Sequence, residues 1–259
     1  MAAAPDILQP DWPAPVGALV STRAGGVSGG AYEALNLGLA VGDDPAAVAE
    51  NRRRFAARLA GARPVWLRQV HGARVWHARA ADAEGDAGEP EADAAWTAEP
   101  GVALVIQVAD CLPVLLTTAD GRAVAAAHAG WRGLAGGVLE AALDALQRGS
   151  GCAPSGVLAW LGPCIGPQAF EVGADVLQAL GADPQGRAPP HFPPRVRADG
   201  SRRWLADLPE LARRRLRQAG VGWIGGGRWC TVADPSRFFS YRRDGVSGRF
   251  AAAVWRRSG

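Results

Sequence analysis

The sequence predicts an α+β fold: a single domain of mixed β-sheets with helices packed outside them. Three observations carry that reading. The chain has 259 residues, enough for one large domain or two small ones. Neither an internal repeat nor a change of composition divides it, so residues 1–259 are read as one domain. Strand-like and helical apolar segments alternate irregularly, and the Asp120-Gly121 pair between apolar runs marks a β-hairpin, so the sheets are not all parallel.

The elements follow in order. Residues 21–32 read as a glycine-rich loop that residues 36–42 continue. Asp43, Asp44 and Pro45 open a helix with Val48, Phe55 and Leu59 along its apolar stripe and Gly61 as its stop. Short strands at 65–67 and 75–77 bracket His71. Residues 80–100 are acidic, contain Gly and Pro, and read as a surface loop. Strands follow at 103–108, 112–118 and 123–127. Residues 133–137 lead into a helix with Val138, Leu139, Ala142, Leu143 and Leu146 on one side. A strand at 157–161 ends in a turn that carries Cys164. A short helix spans 174–180, and the Pro- and Arg-rich stretch 181–203 reads as a long loop. Asp207 opens a helix reaching about Ala219, with Leu208, Leu211 and Leu216 inward. Strands at 222–224 and 251–255 close the chain.

At 48% hydrophobic and 20% charged residues, the composition is that of a soluble globular protein. A chain of this length buries roughly 70–75% of its unfolded surface. The net charge of +3 is too small to imply nucleic-acid binding. All 28 basic residues are Arg, which with abundant Ala and Gly points to genome base composition rather than an arginine code. The four cysteines, at 111, 152, 164 and 230, form no Cys-x-x-Cys pair. The N-terminus shows no charged leader before an apolar stretch. Gln107 and Asp110 break the apolar run 102–116, so no membrane span is read there. A cytoplasmic protein with reduced thiols is expected.

Three candidate metal ligands stand out: His71, Cys111 and His128. With Asp120 and Gly121 as the turn, residue 119 pairs with 122, 113 with 128, and 111 with 130. Cys111 and His128 are then diagonal neighbours on one sheet face, roughly 7–8 Å apart by Cα. That suffices to share one Zn²⁺ or to form a Cys–His dyad. Taken singly, a buried Cys is usually a small hydrophobe and a lone His a hydrogen-bonded residue. Two His and one Cys leave a fourth position open for water or substrate, which is the catalytic pattern of zinc. Asp110 points to the opposite face of a regular strand, as a supporting residue rather than a ligand; a bend in the strand there would let it act as an acid or base. After His128, residues 129–138 (Ala-Gly-Trp-Arg-Gly-Leu-Ala-Gly-Gly-Val) are rich in glycine and alanine and lead into a helix. Backbone N–H groups there, with Arg132, suit an anion; a tight strand-to-helix turn explains the glycines equally well. Arg23 and Asn36 lie on glycine-flanked loops, where they either reach a ligand or stabilise a turn. Residues 238–245, dense in aromatic and basic groups, read either as a purine-stacking segment or as a core-plus-surface strand. Cys164 reads as a spare thiol, and His77 and His191 have no supporting context.

Several strings then bear a resemblance. They are residues 66–72 (Trp-Leu-Arg-Gln-Val-His-Gly), 109–114 (Ala-Asp-Cys-Leu-Pro-Val) and 126–133 (Ala-Ala-His-Ala-Gly-Trp-Arg-Gly), with 21–28, 35–38, 161–167, 170–173 and 238–244. Together they resemble the YfiH-type laccase-domain, or "polyphenol oxidase", family over nearly the whole chain. The resemblance implies a layered α/β/β/α sandwich and a zinc site at His71, Cys111 and His128. It implies phosphorolysis of adenosine, inosine, guanosine and S-methyl-5′-thioadenosine to the base and a sugar 1-phosphate, with adenosine deamination at the same site. Some members are linked instead to editing of peptidoglycan precursors, and an older label is copper-dependent phenol oxidase. A four-copper laccase needs about ten imidazoles, and this chain has four His; a single Cu²⁺ in the zinc site remains compatible. Gln168-Ala169 stand where many members carry a Cys pair.

The leading expectation is therefore a zinc-dependent purine nucleoside enzyme with nucleoside and phosphate as small-molecule partners. The alternatives are a Cys–His amide hydrolase, with Cys111 as nucleophile and His128 as base, and a non-enzymatic metal or redox binding protein. Substrate preference, oligomeric state and the roles of Cys152, Cys164 and Cys230 are not read from the sequence.

Overall fold

The hairpin forms in the register that the sequence predicts. In the computed structural model, which describes residues 6–84, 88–187 and 189–257, the strands Leu112–Thr118 and Val124–Ala129 pair antiparallel, with Pro113 opposite His128 and Thr117 opposite Val124. Gly121 takes φ 71°, a left-handed value that costs glycine nothing, and its N–H donates to the Thr118 carbonyl at 2.8 Å. Asp120 Oδ1 accepts from the Thr118 hydroxyl and the Arg122 N–H and closes the turn. The first five residues, where a leader was sought, lie outside the described residues. So do residues 85–87 of the expected acidic loop and residue 188 of the expected Pro-rich loop.

The hairpin lies inside a six-stranded mixed sheet ordered Trp223–Gly226, Val157–Leu161, Leu112–Thr118, Val124–Ala129, Ala94–Thr97, Val75–His77. Its outermost pairs are parallel and its inner pairs antiparallel. A second sheet runs Ile7–Leu8, Gly17–Ser21, Phe250–Trp255, Val102–Val108, Arg63–Val65, with only the last pair parallel. Period-2 alternation sorts the side chains into layers. Leu104, Ile106, Ala252 and Val254 of one sheet meet Leu115, Val124, Ala126 and Trp160 of the other. The opposite face of the six-stranded sheet carries Val114, Leu116 and Ala127 against Leu139, Leu143 and Leu146 of the helix Val138–Ser150 and Leu211 of the helix Leu208–Gln218. The outer face of the five-stranded sheet packs Val105, Ala251 and Ala253 against Phe55 of the helix Pro45–Ala56. The result is the expected α/β/β/α sandwich with mixed sheets in a single domain. Helix starts follow their capping signals: the Asp44 carboxylate accepts from the Ala46 N–H, and the Asp207 carboxylate from the Glu210 N–H. Among the described residues no helix is long and apolar enough to cross a membrane.

Several elements differ from expectation. Residues 80–100 are not all loop, since the buried strand Ala94–Thr97 lies among them. Its alanines carry no β-branched signal, yet both are buried, Ala94 beneath the helix and Ala95 between the sheets. The stretch 181–203 contains Pro194–Val196 and enters Arg202–Leu205. These two strands form a small antiparallel sheet with Glu171–Val172; Pro and Arg hid it because its first strand is wholly exposed. The first helix ends at Ala56, and turns through Ala60 and Gly61 (φ 51° and 84°) complete the segment. The strand expected at 65–67 is Arg63–Val65. Gly17–Ser21 is a strand running directly into the glycine-rich loop. Residues 238–245 are not a strand: Phe238 and Phe239 are buried, and Ser240 caps a single turn of helix, Tyr241–Asp244.

Candidate metal centre

The three candidate ligands converge at the open end of the hairpin. His128 lies on the buried strand Val124–Ala129, on the face turned toward the other sheet, and is 3% exposed. Cys111 precedes the partner strand, where Asp110 takes φ 93° and bends the chain out of regular pleating. The Asp110 carboxylate is held away from the cluster, accepting from the Thr231 hydroxyl (2.6 Å) and the Arg242 N–H (2.7 Å). It supports the bend, in line with the sequence reading. Gly130 lies beside Cys111: a Cβ there would sit 2.8 Å from the thiol sulfur.

His71 arrives from a loop. Gln69 fixes that loop to the strand Val102–Val108: its amide donates to the Gln107 carbonyl and accepts from the Gln107 N–H, both at 2.8 Å. His71 adopts φ 62°, a left-handed conformation uncommon for a residue with a Cβ. The ligating atoms of His71, Cys111 and His128 all lie within 4.8 Å of one another. Cys111 Sγ is 3.8 Å from His71 Nε2, and the two imidazole rings meet edge-to-face at 4.7 Å. One thiolate and two imidazoles form a donor set that zinc or copper accepts, and their spacing fits a single ion with a fourth position free.

Asp93 is the residue that the sequence reading missed. It is fully buried and lies immediately before the strand Ala94–Thr97. Its Oδ1 is 2.8 Å from His128 Nδ1. The same carboxylate accepts from the backbone N–H groups of Val70 (3.1 Å), His71 (2.9 Å) and Gly72 (2.6 Å). An acidic residue inside the apolar string 92–96 was the available signal, masked by the acidic stretch before it.

The electrostatics are coupled. Burial raises the Cys111 thiol, but the charge of His128 and hydrogen bonds from His128 and His71 outweigh it and bring it down to about 6. Burial likewise opposes a charge on His128, yet the Cys111 thiolate and Asp93 push it up to about 9. Burial also raises the Asp93 carboxyl, but hydrogen bonds from His128 and Gly72 outweigh that and hold it below the usual carboxylate range.

The cluster opens into a cavity of about 890 Å³. Arg132, Arg242 and Arg249 line it beside Phe170, Tyr241 and Leu208. None of these three arginines is ion-paired among the described residues. Arg132 is stacked over Trp131 at 4.3 Å, and Arg242 lies over Phe170 at 5.4 Å. Arg23 and Asn36 are not among the lining residues. Arg23 donates to the carbonyls of Glu33 and Pro235 and stacks on Phe239. Asn36 is fully buried behind the wall, where its Oδ1 accepts from the N–H groups of Gly38 and Arg249, two residues that do line the cavity. The glycines after His128 serve close packing: a Cβ on Gly133 would lie 3.0 Å from the Gly72 carbonyl and 3.2 Å from that of His128. Cys164 is a fully buried free thiol whose backbone pairs with that of Cys230, also a free thiol, whereas Cys152 lies in a loop after the helix Val138–Ser150. His77 is stacked on Trp96.

Comparison with known proteins adds to this geometry. Residues 17–257 match the family model described as multi-copper polyphenol oxidoreductase laccase. A purine nucleoside phosphorylase of Pseudomonas aeruginosa is 51% identical over 251 residues, covering 96% of this chain and 97% of that protein. The purine nucleoside phosphorylase YfiH of Escherichia coli is 45% identical over 256 residues, covering 96% and 98%. Among solved structures, a Neisseria meningitidis protein superposes with a TM-score of 0.87 at 45% identity, covering 97% of this chain and 99% of its own. YlmD from Geobacillus stearothermophilus gives 0.87 at 36%, covering 100% and 98%.

Proposed function

The chain belongs to the multi-copper polyphenol oxidoreductase laccase family, and from that premise we propose that it is a zinc-dependent purine nucleoside phosphorylase. The proposed substrates are adenosine, inosine, guanosine and S-methyl-5′-thioadenosine, with adenosine deamination as a second activity. The observation that carries the reading is the His71–Cys111–His128 cluster on the wall of a cavity lined by Arg132, Arg242, Arg249 and aromatic rings. The names of the relatives from Pseudomonas aeruginosa and Escherichia coli support it. The family's label does not carry four-copper chemistry to this chain, because four His in total are too few. One copper ion in the same three-residue cage is the form of that label which the donor set permits.

The residues divide the work by chemistry. His71, Cys111 and His128 would hold the ion, which supplies a Lewis-acidic centre beside the substrate. Arg132, Arg242 and Arg249 bring positive charge to the cavity and suit an oxyanion such as phosphate. Tyr241, an exposed ring on the cavity wall, offers a face for a purine. In phosphorolysis a phosphate oxygen bonds to C1′ as the C1′–N9 bond breaks, and the base departs carrying the electron pair and gains a proton. In deamination water adds at C6 and the amino group takes up a proton and leaves as ammonia, giving inosine. Holding phosphate and sugar in one cavity is the positioning contribution, which is the larger part of such a reaction. Incubating purified protein with each nucleoside, with and without phosphate, tests the reading. Phosphate-dependent release of free base is expected, and neither base nor inosine above background overturns it.

A second reading rests on one specific observation. Asp93, His128 and Cys111 stand in the order of a carboxylate–imidazole–thiol triad, with the thiol acidified. That arrangement suits hydrolysis of an amide, such as one in a peptidoglycan precursor. Metal analysis separates the two, since a zinc ion held by the Cys111 thiolate leaves no free nucleophile.

A further inference from the structure

We propose that Asp93 is the positioning residue that couples two metal ligands from separate segments, so that His71 and His128 are set, and lost, together. The inference rests on the metal-centre reading above and extends it to a residue outside the ligand set.

The geometry is a hub. Oδ1 of Asp93 takes His128 Nδ1 at 2.8 Å and the His71 N–H at 2.9 Å. Oδ2 takes the N–H groups of Val70 at 3.1 Å and Gly72 at 2.6 Å. Four donors converge on one carboxylate that is fully buried. Each bond has a separate consequence. The bond to His128 fixes the proton on Nδ1 and leaves Nε2 as the electron-pair donor toward Cys111 and His71. The three backbone bonds wrap the loop around the carboxylate and hold His71 in the left-handed conformation that aims its ring at the cluster. The two rings also meet edge-to-face at 4.7 Å, and Cys111 lies beside His71 at 3.8 Å, but Asp93 is the group that binds the backbone of the His71 loop as well as the His128 ring. Burying an ionised carboxylate is unfavourable unless its lone pairs are satisfied, and here all the bonds belong to the two ligand segments. The group therefore does no work for the fold elsewhere; it holds the centre.

An amide cannot replace it. Asparagine keeps one oxygen and turns an NH₂ toward two N–H donors, so one side of the hub becomes repulsive. The loop or the ring then swings away.

The test uses full-length Asp93→Asn and Asp93→Ala beside the unaltered protein. Zinc affinity is measured by competition with a chromophoric chelator, and the Co²⁺-substituted proteins give their d–d spectra. A single lost orienting partner weakens metal binding on the order of 10–100-fold. Coupling of two ligands predicts the upper end of that range, together with loss of tetrahedral Co²⁺ intensity rather than a small band shift. Adding His71→Ala to Asp93→Asn should then cost little more. Affinity within two-fold of the unaltered protein, or unchanged Co²⁺ spectra with only a lower melting temperature, overturns the proposal. Should the variants not fold, NMR of the ¹¹³Cd-loaded, ¹⁵N-labelled protein decides it: coupling of cadmium to His128 Nε2 is expected, and coupling to Nδ1 overturns it. None of these readouts needs nucleoside turnover. Failure of the phosphorylase reading would leave metal affinity intact, and failure of this inference would leave nucleoside cleavage intact.

Discussion

Gly130 and Cys111 are in contact that admits no side chain between them: a Cβ on Gly130 would lie 2.8 Å from the Cys111 sulfur and 3.2 Å from Cδ2 of His71. The hairpin register places residue 130 beside residue 111, and glycine is the residue that lets the thiol stand over the strand end. Gly130→Ala should displace the sulfur by several tenths of an ångström and weaken zinc binding on the order of ten-fold, with the fold intact by circular dichroism. Chelator competition measures the change; unaltered affinity would show that the thiol is not a ligand in this position.

The acidified thiol and the basic imidazole set opposite pH limits on the metal-free protein. The Cys111 thiol falls from 9.0 to about 6, so its contribution to stability is full above pH 9.0 and is lost as pH falls through about 6. His128 rises from 6.5 to about 9, so its contribution is full below 6.5 and is lost as pH rises through about 9. Stability without metal should therefore pass through a maximum between those limits, read as denaturation midpoints across pH. A monotonic profile speaks against the thiolate–imidazolium pair.

The same charges set the proton count of metal binding. Near pH 7.5 Cys111 is already ionised, and His128 must give up its proton to coordinate. Zinc binding should release about one proton, against about two for a neutral thiol beside a protonated imidazole. Calorimetry in buffers of different ionisation enthalpy measures this. Release of two protons refutes the ionised thiol.

The cavity arginines should act on the anion and not on the metal. Arg132→Ala and Arg242→Ala are each expected to raise the KM for phosphate on the order of ten-fold, as loss of one charge-assisted hydrogen bond does, while zinc content stays unchanged. Arg23→Ala, whose partners are backbone carbonyls outside the lining, is expected to lower the melting temperature instead. Equal effects of all three on KM would place Arg23 at the substrate.

Much of the metal centre was legible because its parts are local. Asp120-Gly121 determines a register, and that register, with the bend at Asp110, brings Cys111 alongside Gly130 and near His128. The layers were legible in outline, since period-2 alternation in the strands and capped helices needs only nearby sequence. What escaped depends on distant partners. The strand Ala94–Thr97 opens on two alanines whose strand character comes from burial, Ala94 beneath the helix and Ala95 between the sheets. Asp93 reads as one more acidic residue in an acidic stretch, because its four donors come from residues 70–72 and 128. Arg249 joins the cavity from the far end of the chain, held by Asn36 from the start. Glycine-flanked position suggested a ligand role for Asn36, whereas its bonds show it bracing the wall.

The most direct measurement is the metal content of the purified chain beside that of Cys111→Ala. The three-residue cage predicts about one zinc per chain in the first and less than a tenth of that in the second. No stoichiometric metal in the unaltered protein, or equal content in both, contradicts it.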